Sequence, residues 1–140
     1  MNVGVIGCNT MGLMHCEMAV NAGLKVVACG DISRDNARKA ARKFGAEAVG
    51  DCVELCSRDD VDVVAICTPT PTHTEYIKAA AAAGKHVFCE KPLGRTLEKI
   101  DEALAAVEQA GVKLYVGHVV RFFQEFEAMK ARIDSGQIGK

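Results

Sequence analysis

Two hydrophobic periods take turns along this chain, and few folds accept such a sequence. Short apolar runs, most rich in Val and Ile, fall at residues 3–6, 25–29, 61–67, 86–89 and 113–116. They are too short for stable helices and read as buried strands, with a further short strand expected at 46–49. Between them, residues 10–21, 34–44, 72–83, 97–110 and 125–134 combine helical spacing with good helix formers. Gly23, Gly45, Gly84 and Gly111 each follow a helical run, as expected of helix-ending glycines. Thr96 stands where the helix from Leu97 needs an N-cap. Strands alternating with helices of this length build βαβ units. The expected fold is therefore α/β, a doubly wound, mostly parallel Rossmann-type sheet of five to six strands with helices on both faces.

Composition narrows the classes of function. A chain of 140 residues, 49% hydrophobic, can bury the core of a single domain. The 17 basic and 18 acidic residues leave a formal charge of −1, without the basic surplus that nucleic acids or anionic membranes require, so neither partner is expected. No apolar run reaches the ~18 residues of a membrane span. The first residues lack a basic segment and enter a strand directly, so no signal peptide is expected. Seven cysteines, an odd number with no Cys-x-x-Cys pair, argue against a disulfide framework or a zinc site. Cys52 and Cys56 share a helix face but have no further ligands nearby, and no metal site is expected. The expectation is a reduced, cytoplasmic domain. After the last helix the chain runs through Gln137-Ile138-Gly139-Lys140 with no closing element, as at a domain boundary. Residues 1–122 are expected to form the main domain, and residues 123–140 a terminal helix and the start of a linker.

The first strand-to-helix turn is Gly7-Cys8-Asn9-Thr10-Met11-Gly12. In a dinucleotide-binding turn the first Gly allows the bend, the second lets backbone approach the pyrophosphate, and the third lets helix pack on strand. Gly7 and Gly12 fill the first and third places. Asn9 fills the second, where its tolerance of left-handed backbone is expected to preserve the turn. Free N–H groups at the helix start would hold the anion. Asp31, at the end of the second strand, stands at roughly the ~20-residue spacing of the acid that accepts the adenosine ribose hydroxyls. Such a carboxylate repels a 2′-phosphate, so NAD is expected over NADP. Arg34 could pair with a 2′-phosphate or stack on the adenine. Lys91, between Glu90 and Pro92 beyond another strand end, has no evident use in packing. Cys8, Cys67 and Cys89 read as small packing residues near the same edge, and His15 and His86 as structural. Phe122, Phe123 and Phe126, at helical spacing, read as an anchor for the last helix or as a surface for a missing domain.

The run Gly84-Lys85-His86-Val87-x-Cys89-Glu90-Lys91-Pro92, with Thr68-Pro69 and His73 before it, resembles the glucose–fructose oxidoreductase/inositol dehydrogenase (Gfo/Idh/MocA) family. So does Val116-Gly117-His118-x-x-Arg121-Phe122. The resemblance covers the whole chain, but only the family's N-terminal, cofactor-binding half. Asn9 departs from the usual Gly, and Thr70 stands where many relatives carry Asn. The resemblance implies that Gly7, Asn9, Thr10, Met11 and Gly12 line the pyrophosphate, and that Asp31 and Ile32 surround the adenosine. It places Thr68, Thr70 and His73 along the nicotinamide-side ribose. Glu90 and Lys91 would flank nicotinamide and substrate, with a cis Lys91–Pro92 bond aiming the ammonium inward. His118 and Arg121 would border the substrate side.

The implied chemistry is hydride transfer between nicotinamide and a secondary alcohol of a cyclitol, sugar or sugar derivative. In it Lys91 would hold the reacting oxygen and steady its developing charge. In the family the principal proton-transfer residues come from a second, C-terminal domain, through which any homo-oligomer would also be expected to form. A stand-alone NAD-binding sensor without chemistry is the alternative.

Overall fold

The computed structural model describes residues 1–139; Lys140, the last residue of the expected terminal segment, lies outside the described residues. Six strands form one sheet: β1 (Asn2–Ile6), β2 (Lys25–Gly30), β3 (Glu47–Val49), β4 (Val63–Ile66), β5 (His86–Cys89) and β6 (Leu114–Val116). Their order is β3-β2-β1-β4-β5-β6 and all five pairings are parallel. The chain builds outward from β1 on one side and then crosses back to start the other half at β4. That places the switch in strand order between β1 and β4, where open α/β sheets bind ligands beyond the carboxyl ends of their strands.

The alternation within the strands explains the two cores. Val3 and Val5 of β1 pack with Val26, Cys29 and Ala65 under α1 (Thr10–Asn21) and α2 (Arg34–Phe44). Ile6, Val64, Ile66 and Val87 face the opposite way. They pack with Leu55 of α3 (Cys52–Cys56), with Ile77, Ala80 and Ala81 of α4 (His73–Ala82), and with Ala103 and Val107 of α5 (Leu97–Ala110). Central strands covered on both faces need continuous apolar runs, which is why β1 and β4 show no polar alternation. The alanine run ending α4 serves close packing: Ala80 and Ala81 are fully buried.

Helix ends follow local chemistry. Ser33 and Thr96 cap α2 and α5, each accepting the N–H three residues on, and Asp51 caps α3. Gly45 and Gly111 end α2 and α5 in left-handed backbone at φ 68° and 65°. The expected helix at 72–83 is shifted slightly. A 3₁₀ turn covers Thr70–Thr72 and α4 starts at His73.

The end of the chain corrects one expectation. After a 3₁₀ turn at Val119–Phe122, α6 (Gln124–Asp134) has no buried residue. Phe122, Phe123 and Phe126 remain 46–60% exposed, so they do not anchor the helix. Met129 and Ile133 are likewise exposed, so residues 1–118 leave these apolar side chains largely uncovered.

Candidate functional site

The β1–α1 turn is built by close contact. Gly7 has φ +88°, and a side chain there would run into the backbone of Cys67 and Thr68 at 2.7–2.8 Å. A Cβ on Gly12 would lie 1.8 Å from the carbonyl oxygen of Gly7. Only glycine lets α1 start so near β1, and only glycine lets the β4 loop lie so near the turn. Asn9 corrects the sequence expectation: it sits at φ −83°, in extended backbone, so the turn asks no left-handed residue of this position. It is the N-cap of α1, yet its side chain makes no cap hydrogen bond, and the first turn carries no acidic residue. The first bond of this helix end runs from Leu13 N–H to Asn9 O. The N–H groups of Thr10, Met11 and Gly12 therefore point out of the helix end without intrahelical partners. Donors in that arrangement, at the positive end of the helix dipole, suit a phosphate.

Asp31 is 8% exposed at the end of β2. One carboxylate oxygen accepts the N–H of Cys8 at 2.7 Å and the other accepts that of Ser33 at 2.7 Å. It thus ties the glycine turn to the start of α2, and each oxygen keeps a further lone pair for a ligand hydroxyl. Ile32 is completely exposed beside it, and Arg34 projects from the first turn of α2.

On the other side of β1, the β4 loop holds Thr68 and Thr70 half-buried, with the Thr68 backbone next to Gly7. Thr68 Oγ1 accepts a hydrogen bond from Thr72 Oγ1 at 2.8 Å. His73, expected along a ribose, is placed differently. It is 1% exposed, with one ring nitrogen 2.8 Å from the carbonyl oxygen of Thr68 and the other 3.0 Å from that of Pro92. A ring so enclosed has no edge left for a ligand. It clasps the β4 loop to the β5 loop and so acts on the site through the backbone.

The β5 loop carries Glu90, Lys91 and Pro92, and the Lys91–Pro92 bond is cis. Glu90 is buried, with one carboxylate oxygen 2.7 Å from His15 Nε2 of α1 and the other accepting the N–H of Lys91 at 3.1 Å. Lys91 itself is exposed. It lines an open cleft of about 1070 Å³ with Pro92, His118, Val119, Arg121 and the apolar side of α6. The fold therefore brings Lys91, His118 and Arg121 to one cleft. The glycine turn and Asp31 lie at the same carboxyl edge but do not line it. Nearby thiols are held protonated: burial, reinforced by the Glu90 carboxylate, pushes Cys89 up to about 12 and Cys67 higher still.

Sequence reasoning took His15 as structural and did not foresee its pairing with Glu90. Its one signal was a partly polar ring one turn beyond Gly12, on the helix that opens the site.

Residues 1–118 match an oxidoreductase family with an NAD-binding Rossmann fold, Gfo/Idh/MocA. Myo-inositol 2-dehydrogenase of Thermotoga maritima is 37% identical over 100% of this chain and 42% of its own length. Inositol 2-dehydrogenase of Pseudomonas syringae pv. syringae is 41% identical over 100% of this chain and 43% of its own. Among solved structures, a probable dehydrogenase from Thermotoga maritima superposes with a TM-score of 0.92 at 37% identity, covering 100% of this chain and 42% of that one. Scyllo-inositol dehydrogenase from Lactobacillus casei, with bound NAD(H) and scyllo-inositol, has a TM-score of 0.92 at 28% identity over 100% of this chain and 42% of its own. The chain thus spans about two fifths of the length of the curated relatives it matches.

Proposed function

Because the chain belongs to the Gfo/Idh/MocA oxidoreductase family, in its NAD-binding Rossmann part, we propose that residues 1–122 bind NAD for a dehydrogenase acting on a cyclitol, sugar or sugar derivative. The observation that carries this reading is the convergence of three features on the carboxyl edge of one sheet. They are a phosphate-ready start of α1, a carboxylate at the end of β2, and a lysine beside an open cleft beyond β5. The residues present fit the dinucleotide. The N–H groups of Thr10, Met11 and Gly12 would hold the pyrophosphate, with Gly7 and Gly12 keeping the approach clear. Asp31 would accept the adenosine ribose hydroxyls with its remaining lone pairs, and Ile32 and Arg34 would flank the adenine. Thr68 and Thr70 would lie along the nicotinamide-side ribose, with Glu90 at the nicotinamide. His73 supports this edge by holding the two loops together.

When bound, the nicotinamide supplies the hydride acceptor or donor. Lys91 would orient the substrate hydroxyl and stabilise negative charge on its oxygen, while His118 and Arg121 bind the polyol from the cleft's far side. Residues 123–140 would lead toward a substrate domain like the remaining part of the relatives, with the apolar side of α6 facing it. Inositol dehydrogenases among the relatives favour a cyclitol.

NADH fluorescence titration tests the reading. Saturable binding of NADH, with NADPH at least about tenfold weaker because Asp31 repels its extra phosphate, is expected. Absence of binding, or a preference for NADPH, would overturn it.

A further inference from the structure

We propose that His15 is a positioning residue for the nicotinamide end of the site, acting through Glu90 on the backbone of Lys91; this rests on the dinucleotide reading above. Glu90 directly follows β5 with its carboxylate turned inward, and its own N–H is spent on the carbonyl of Ile66 in β4. One oxygen takes the Lys91 N–H at 3.1 Å, and the other lies 2.7 Å from His15 Nε2. The two side chains are 16% and 11% exposed. Among the described residues, His15 is the one basic side chain within ion-pair distance of Glu90. A carboxylate so far out of water needs its acceptors filled, and losing a partner leaves it free to turn toward another.

The ring is aimed, not merely present. It leans on Phe88 with centroids 4.7 Å apart, and Phe88 stacks on Tyr115 at 6.0 Å. A Cβ on Gly117 would stand 3.4 Å from the same Glu90 oxygen and 3.1 Å from the Phe88 ring, so the residue that follows β6 closes the third wall. α1 and the segments that leave β5 and β6 therefore meet at a single carboxylate. The consequence is a link between two ends of the ligand. α1 presents its N-terminus to the pyrophosphate, and one turn later the same helix fixes the residue that precedes Lys91. Lys91 follows Glu90 directly, so a turn of the carboxylate releases the Lys91 N–H and moves the base of that side chain. The adenosine half has no contact with this clip, since Asp31 is held independently by Cys8 and Ser33.

A comparison of NADH with ADP-ribose, which lacks only the nicotinamide, separates positioning from general support of the fold. His15→Ala is expected to weaken NADH about tenfold, the scale of one hydrogen bond to a charged group, and to leave ADP-ribose within about twofold. His15→Gln, whose amide can donate from the Nε2 position, is expected to restore most of the loss. If His15→Ala does not fold, His15→Asn, polar but too short to reach Glu90, should give the same split. Equal weakening of both ligands, no change in either, or no rescue by His15→Gln would overturn the proposal. Failure of the unaltered chain to bind ADP-ribose would overturn the dinucleotide reading and this inference with it, an outcome visible before any variant is made.

Discussion

Asp31 accepts the N–H of Cys8 and that of Ser33, and in the proposed reading it also meets the adenosine hydroxyls. Asp31→Ala would leave the buried Cys8 N–H without its acceptor. Such a loss costs about 1–3 kcal/mol, which urea unfolding should register. The same change removes the charge that repels a 2′-phosphate, so calorimetry should find the NADH-to-NADPH preference falling toward parity. An unchanged preference would mean that the selectivity lies elsewhere than in this carboxylate. The place of Asp31 just after the second strand was legible in the sequence because spacing from a glycine turn is a local, one-dimensional signal. The roles of His73 and Glu90 were only partly legible. Which way a buried side chain turns depends on carbonyls and carboxylates far away along the chain, such as Pro92 for His73 and His15 for Glu90.

The helices divide by how their N-termini are finished. α2, α3 and α5 carry side-chain caps and an acidic residue in the first turn, whereas α1 has neither. A charge placed there should therefore separate stability from binding. Asn9→Asp is expected to stabilise α1 by about 0.3–1 kcal/mol through the helix dipole. It should weaken NADH severalfold, because the added carboxylate meets the pyrophosphate. Thermal unfolding and NADH titration on one sample would measure both signs; tighter NADH binding would show that the anion is not held at this helix end. Most elements could be read from periodicity alone, since buried parallel strands and amphipathic helices imprint different repeats. α3 is only Cys52–Cys56, too short to show a period. Asn9 does not take the left-handed backbone its type tolerates, because within this turn the positive φ is supplied by Gly7.

Across the whole molecule, burial of thiols makes stability depend on alkaline pH. Desolvation, helped by the neighbouring Cys52 thiol and Asp51 carboxylate for Cys56 and by Glu90 for Cys89, pushes both thiols from near 9 up to about 12. Above pH 9 the unfolded chain gives up these protons while the folded chain keeps them, so stability is full below pH 9 and falls as pH rises toward 12. The slope is up to about 1.4 kcal/mol per pH unit for each thiol. Urea midpoints at pH 8 and pH 10 should differ accordingly, and equal midpoints would contradict the burial. The carboxyl-terminal segment makes the opposite case, a part of the chain from which the core takes nothing. The helical period of α6 was legible in the sequence, but its partner was not, because an apolar stripe states that something must cover it without stating what. No residue of α6 is buried, and its apolar side chains line the cleft in place of packing on the sheet. A chain ending at Phe122 should therefore unfold in urea within about 0.5 kcal/mol of the full sequence, as changes to exposed surface do. It should keep its NADH affinity, since the glycine turn, Asp31 and the β4 loop lie elsewhere. It should also bind less of a dye that reports exposed apolar surface, because Phe126, Met129 and Ile133 leave with the helix. A loss of more than about 2 kcal/mol would place α6 inside the folding unit and move the domain boundary past residue 122.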